Sequence, residues 1–133
     1  MELDFALINS QLRQSSPHSD VERASLKEQT LNALRAGKVH DTQYRECAIL
    51  LLQVGDVQDK GLALALATMA ASRRDDDRHL IACLVDNILL GRGLPFQHFG
   101  TQYDATASEV RLRPVDPATS DTERKRFGVP AIN

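Results

Sequence analysis

Apolar residues recur three and four apart in five stretches, and each stretch is closed within about four turns by glycine, proline or a run of charges. Such punctuation restricts the chain to a packing of short helices joined by tight breaks. Phe5, Ile8 and Leu12, flanked by Leu3 and Leu7, mark a first helix over 3–13. Ser15-Ser16-Pro17-His18-Ser19 reads as a turn, and Ser19 or Asp20 can cap a second helix running to about Ala36. Val21, Ala24, Leu31 and Leu34 are expected on its inward face, with Gly37 as its stop. Asp41 opens a third helix that carries Cys47 to Val54 and ends at Gly55. Asp56 opens a fourth, in which Ala63, Ala65, Ala67, Ala70 and Ala71 leave little side chain between neighbouring backbones. A fifth, starting near Asp76 or Asp77, carries Leu80, Ile81, Leu84, Val85, Ile88 and Leu89 before Gly91 and Gly93. Ser120 or Asp121 caps a short last helix over Thr122 to Phe127, ended by Gly128 and Pro130.

The expected fold is all-α: a compact antiparallel helical-hairpin bundle of about five helices plus a short C-terminal helix, forming a single helical domain over 1–133. Between the fifth and last helices, the 94–115 segment is expected to be irregular and packed on the helix ends. Pro95 bars helix there, and the alternation through Glu109 to Val115 permits only a short hairpin.

Composition narrows the functional classes. With 16 Lys and Arg against 18 Asp and Glu, no global positive field exists to draw in nucleic acid or an anionic bilayer. Arg111, Arg113, Arg124, Lys125 and Arg126 are interspersed with Asp116, Asp121 and Glu123, which describes a solvated face or a rim gripping one anionic group. No apolar run approaches the ~20 residues that cross a bilayer, and the N-terminus lacks the pattern of a secretory signal. Cys47 and Cys83 lie in apolar helical patterns and read as buried free thiols, so a reducing cytoplasm is expected. Metal and nucleotide motifs are absent from the sequence, and no metal or cofactor is expected. Arg73-Arg74 followed by Asp75-Asp76-Asp77 reads as complementary charge at two helix ends.

Two places carry candidate chemistry. Asp86 interrupts the apolar face of the fifth helix, and a buried carboxylate costs several kcal/mol without donors. Arg45, Arg92 or the backbone N–H groups of Phe99 to Gln102 are the expected partners, Asn87 pointing about 100° away and His79 lying two turns back. The second place is Leu94-Pro95-Phe96-Gln97-His98-Phe99-Gly100-Thr101-Gln102-Tyr103. In one reading Phe96, His98, Phe99 and Tyr103 cover the helix ends, with Pro95, Phe99 and Gly100 structural and Asp86 anchoring the loop. In the other, Gln97, Thr101, Gln102 and Arg92 bind a small polar ligand, and His98, oriented by Asp86, is the catalytic acid or base.

The aspartate at the end of one helix followed by Gly100-Thr101-Gln102 resembles an uncharacterised bacterial domain-of-unknown-function family, number 6624, over roughly Tyr44 to Val129. Its helix ending Gln-His-Gly is matched by Gln53, Val54 and Gly55, and its Asp-Arg by Asp86 and Asn87. Its loop is matched by Gln97-His98-Phe99-Gly100-Thr101-Gln102, and its tail by Arg124 and Gly128-Val129-Pro130. The resemblance implies the helical fold and a site location, and no reaction. Val54, Asn87 and His98 stand where the family has histidine, arginine and arginine, so a proton-transfer or anion site of relatives would here be lost or rebuilt with His98 and His79. The leading expectation is a small soluble accessory or interaction protein whose partner is another protein or a second copy of the chain. The alternative is an enzyme or ligand-binding protein that uses His98 and Asp86.

Overall fold

The computed structural model describes residues 3–14, 19–73, 78–106 and 108–132. The turn expected at 15–18 and the acids of 74–77 lie outside the described residues. In order come α1 (Phe5–Gln14), α2 (Asp20–Arg35), a single 3-10 turn (Asp41–Gln43), α3 (Tyr44–Val54), α4 (Val57–Ala71), α5 (Arg78–Gly91), β1 (Tyr103–Ala105), β2 (Val110–Leu112) and α6 (Asp121–Arg126). The protein is mostly helical with one small two-stranded sheet, which lies in the 94–115 segment where the sequence allowed a short hairpin. β1 pairs antiparallel with β2, placing Tyr103 opposite Leu112 and Ala105 opposite Val110. Among the described residues, no helix is long and apolar enough to cross a membrane. Contacts gather the chain into two compact units, Met1–Ala70 and Ala71–Asn133, a finer division than the one domain expected from length.

In the first unit α1 and α2 both pack on α3, whose Cys47, Ala48, Leu50 and Leu51 are fully buried. Ser19 caps α2 by accepting from the Glu22 N–H at 3.1 Å. Asp56 and Asp59 cap α4 reciprocally, each carboxylate accepting the other's N–H at 3.0 Å. The inward face of α2 is only partly the expected one: Leu31 and Leu34 are half-buried, but Val21 and Ala24 are exposed. Val21 is 79% exposed and Thr30 is buried, because nine residues at ~100° each put the two on opposite sides of the helix. Asn9, also buried, donates from Nδ2 to the Glu46 carbonyl and carboxylate at 2.8 and 2.9 Å and accepts from Gln53 Nε2 at 2.9 Å. An amide that no apolar pattern marks thus ties α1 to α3.

In the second unit Ala82 of α5, Phe99 and Val129 form a small core, with Val85 and Phe127 packed against it. Ser120 caps α6, accepting from the Glu123 N–H at 3.1 Å. Both cysteines are free.

Candidate functional site

The site begins with Asp86, which α5 carries fully buried. Its Oδ1 accepts the backbone N–H groups of His98 and Phe99, both at 2.8 Å. Its Oδ2 accepts those of Gly100 and Thr101, both at 3.0 Å, and the Thr101 hydroxyl at 2.8 Å. Four successive amides turned toward one point make a concave anion receptor, and here the anion belongs to the same chain. Gly100 makes the turn possible. Its φ of +99° favours glycine, and an added Cβ would stand 3.3 Å from the Val115 side chain. The sequence places the amides of Phe99 to Gln102 among the partners of Asp86; those of His98 to Thr101 supply four of its hydrogen bonds and the Thr101 hydroxyl the fifth, while Gln102 N goes to Gln97. Arg45 instead pairs with Glu46, and Arg92 is exposed in the turn that follows α5.

Gln97 is the second organiser of the loop, also fully buried. Its amide donates to the carbonyls of Gln102 and Arg113, both at 2.9 Å. Its side-chain oxygen accepts from Thr101 N at 3.0 Å and Gln102 N at 2.9 Å. Its own backbone pairs with the chain on either side of Val115 in an isolated parallel bridge, donating to the Pro114 carbonyl and accepting from Asp116 N. The side chain behaves as a spare peptide group, and all four of its hydrogen-bonding positions are spent inside the fold. It has none left for the ligand role expected of it.

His98 and Asp86 meet only through the His98 backbone. The ring's partners are Glu123, whose Oε1 lies 2.9 Å from Nε2, and Thr119, whose hydroxyl lies 3.3 Å from Nδ1. A carboxylate only accepts, so Nε2 carries a proton and donates to Glu123, while Nδ1 is within reach of the Thr119 hydroxyl. The ring packs edge-on against Phe99, and Phe99 leans on Phe127. His98, about one-third exposed, borders a groove of about 400 Å³ with Leu89, Leu94, Pro95, Phe96, Gln97 and Asp116. Asp86 does not line it. Of the aromatic residues expected to cover the helix ends only Phe99 is buried, while Phe96 and Tyr103 stand exposed.

Sequence reasoning missed the role of Arg124, a buried guanidinium that donates through Nε to the Phe99 carbonyl at 3.1 Å and pairs with Asp121 at 2.6 Å. The available signal was its place in the Arg124 to Pro130 tail pattern. It missed the Glu123–His98 pair as well, since Glu123 reads as one of the acids interspersed among the basic residues near the end of the chain.

On the other side of the loop a hydrogen-bonded relay leads away from Asp86. The Thr101 hydroxyl accepts from Gln102 Nε2 at 3.0 Å, and Gln102 Oε1 accepts from Asn87 Nδ2 at 3.3 Å. Cys83, half-buried on α5, has its thiol pushed up chiefly by burial, with a Thr101 hydrogen bond acting in the opposite direction. Among the described residues no cluster of three metal-ligating side chains occurs. Comparison with protein-family models, with curated proteins and with solved structures gives no match.

Proposed function

We propose that the protein is an accessory binding protein, and that the 94–102 loop is a recognition element rather than a catalytic one. The observation that carries this reading is the saturation of Asp86. A carboxylate that accepts five hydrogen bonds in a dry site has no acceptor position left for a substrate proton. The same amides, spent on Asp86, are not available to stabilise a developing oxyanion. What the rigid loop offers outward is a lip of Leu94, Pro95 and Phe96, with Leu94 and Phe96 each 46% exposed beside the groove. Large apolar side chains held at the rim of a concavity suit the anchor residue of a partner protein. Within the proposal the first unit keeps the antiparallel hairpin arrangement and the chain is a bacterial protein of the resembled family; its cytoplasmic placement draws support from the two free cysteines.

The test is a selection of displayed 12-residue peptides on the wild type with counter-selection on the L94S/F96S double variant. Enriched peptides carrying an apolar anchor, weakened about tenfold or more on the variant, are the expected result. No enrichment, or equal binding to both proteins, overturns the reading.

A second reading, a small polar ligand in the groove beside His98, draws support from the imidazole being held on both nitrogens and still partly open to solvent. Its acid–base partner would be Glu123 rather than Asp86.

A further inference from the structure

We infer that a second, polar cleft on the far side of the loop binds a small oxyanion, a carboxylate or a phosphate, gripped by Arg113 and the side-chain amides of Asn87 and Gln102. The inference goes beyond the lip of Leu94 and Phe96 and does not depend on it. The cleft holds about 220 Å³ and is lined by Asn87, Leu90, Gly91, Gln102 and Arg113, with no acid among them. That volume lies below the ~300–1,000 Å³ of pockets for drug-sized molecules, so the ligand is a compact one.

The donors are organised before any ligand arrives. Because the Asp86 carboxylate only accepts, the Thr101 hydroxyl donates to it and so accepts from Gln102, which fixes the Gln102 amide with its oxygen toward Asn87. Each of the two amides makes one donor bond in this relay and keeps its second N–H. Arg113 is presented from a backbone pinned on both sides, its N–H donating to the Gln102 carbonyl at 3.1 Å and its carbonyl accepting from Gln97 at 2.9 Å. Among the described residues its guanidinium pairs with Asp104, whose Oδ1 lies 3.6 Å from Nε, an exposed ion pair longer than a hydrogen bond that leaves the guanidinium's N–H groups for an incoming anion. A forked guanidinium with flanking amide donors matches the two or three oxygens of a carboxylate or phosphate. The carbonyls ending α5 oppose an anion less than bare ones would, since those of Ile88, Leu89 and Leu90 accept from Arg92, Leu94 and Gly93.

The experiment is a titration of the full chain with succinate and, separately, inorganic phosphate, following the side-chain amide resonances of Asn87 and Gln102 by NMR, with sodium chloride as the ionic-strength control. Saturable shifts at both amides are expected with one or both anions, and which anion acts separates carboxylate from phosphate recognition. Arg113→Gln weakens binding about tenfold or more and Arg113→Lys less, because lysine keeps the charge and loses the fork. Arg111→Gln and L94S/F96S leave it unchanged, so failure of the lip reading and failure of this one are told apart. Shifts that chloride reproduces, shifts that survive Arg113→Gln, or no saturable shift with either anion overturn the inference.

Discussion

A carboxylate taken out of water costs several kcal/mol unless donors replace the hydration it loses, and at Asp86 four backbone amides and one hydroxyl do so. Charge-assisted bonds to backbone amides are among the stronger protein hydrogen bonds, so the loop is held in one conformation by a single side chain twelve to fifteen residues earlier. Gln97 adds a neutral version of the same device, giving the turn two internal templates. Cys47 shows the opposite logic, a polarisable group buried with no partner that would favour its charge. Desolvation pushes its thiol from an ordinary 9.0 up to about 12. The unfolded chain therefore loses the Cys47 proton first as pH rises, and ionisation of the unfolded state draws the equilibrium away from the fold. The contribution is fully present below about pH 9 and declines as pH climbs toward 12. Urea unfolding measured from pH 8 to 11 should show stability falling along this limb, and the fall should be shallower in Cys47→Ala. Equal slopes in the two proteins would remove Cys47 as its source.

Glycines around α4 separate two physical roles that a helix imposes on the same residue. Gly61 lies inside α4, and a Cβ built there meets nothing within 4 Å. Gly61→Ala should therefore stabilise the protein by ~0.5–1 kcal/mol, since alanine leaves the unfolded chain less backbone freedom to lose. Gly55 sits at the break between α3 and α4, where a Cβ would stand 2.6 Å from both the Asp59 Cβ and the Leu51 carbonyl oxygen. Its φ of −87° is ordinary, so the demand at this position is for space. Gly55→Ala should cost about 1–3 kcal/mol, because backbone or the reciprocal Asp56–Asp59 cap must shift. Denaturant midpoints for both variants check the pair, and a shift of the same sign in both would contradict it. The caps and glycine stops are also why the helices were legible in the sequence: Ser19, Asp56 and Ser120 stand at or beside the helix starts, and Gly37 and Gly55 just past the ends. The first half of the α2 face was misread because its apolar residues drift around the helix: Val21 and Ala24 are exposed, and half-buried Leu26 and buried Thr30 join the expected Leu34 on the inward line. Asp86 was legible as a buried carboxylate needing donors, since local pattern alone poses that problem. The partners of Gln97, Arg124 and His98 were not, because they depend on the path of an irregular chain between Leu94 and Ser120 that no periodicity encodes.

Each compact unit is organised around a buried polar residue that reaches across elements, Asn9 in the first and Asp86 in the second. Buried polar groups of this kind are costly to leave half-satisfied, so removing one should loosen first the unit whose bonds it makes. In Asp86→Asn the amide nitrogen cannot accept, and it faces donors in place of an oxygen that took two or three of them. A loss of about 3 kcal/mol or more in unfolding free energy is expected. Thr101→Val, which removes the hydroxyl donor to Asp86 and the acceptor of Gln102 Nε2 but leaves the four backbone amides in place, is the milder companion, at a cost of about 1 kcal/mol. Native-state hydrogen exchange then resolves where the loss falls. Asp86→Asn and Thr101→Val should accelerate exchange at the amides of residues 98–101, which lose their acceptor or its support, and leave the α3 amides near their wild-type rates. Asn9→Ala, which takes one partner each from Glu46 and Gln53, should do the reverse, accelerating α1 and α3 and sparing 98–101. If either class of variant raised exchange equally in both units, opening would be a single cooperative event, and the polar anchors would stabilise the whole chain rather than the unit in which each is buried.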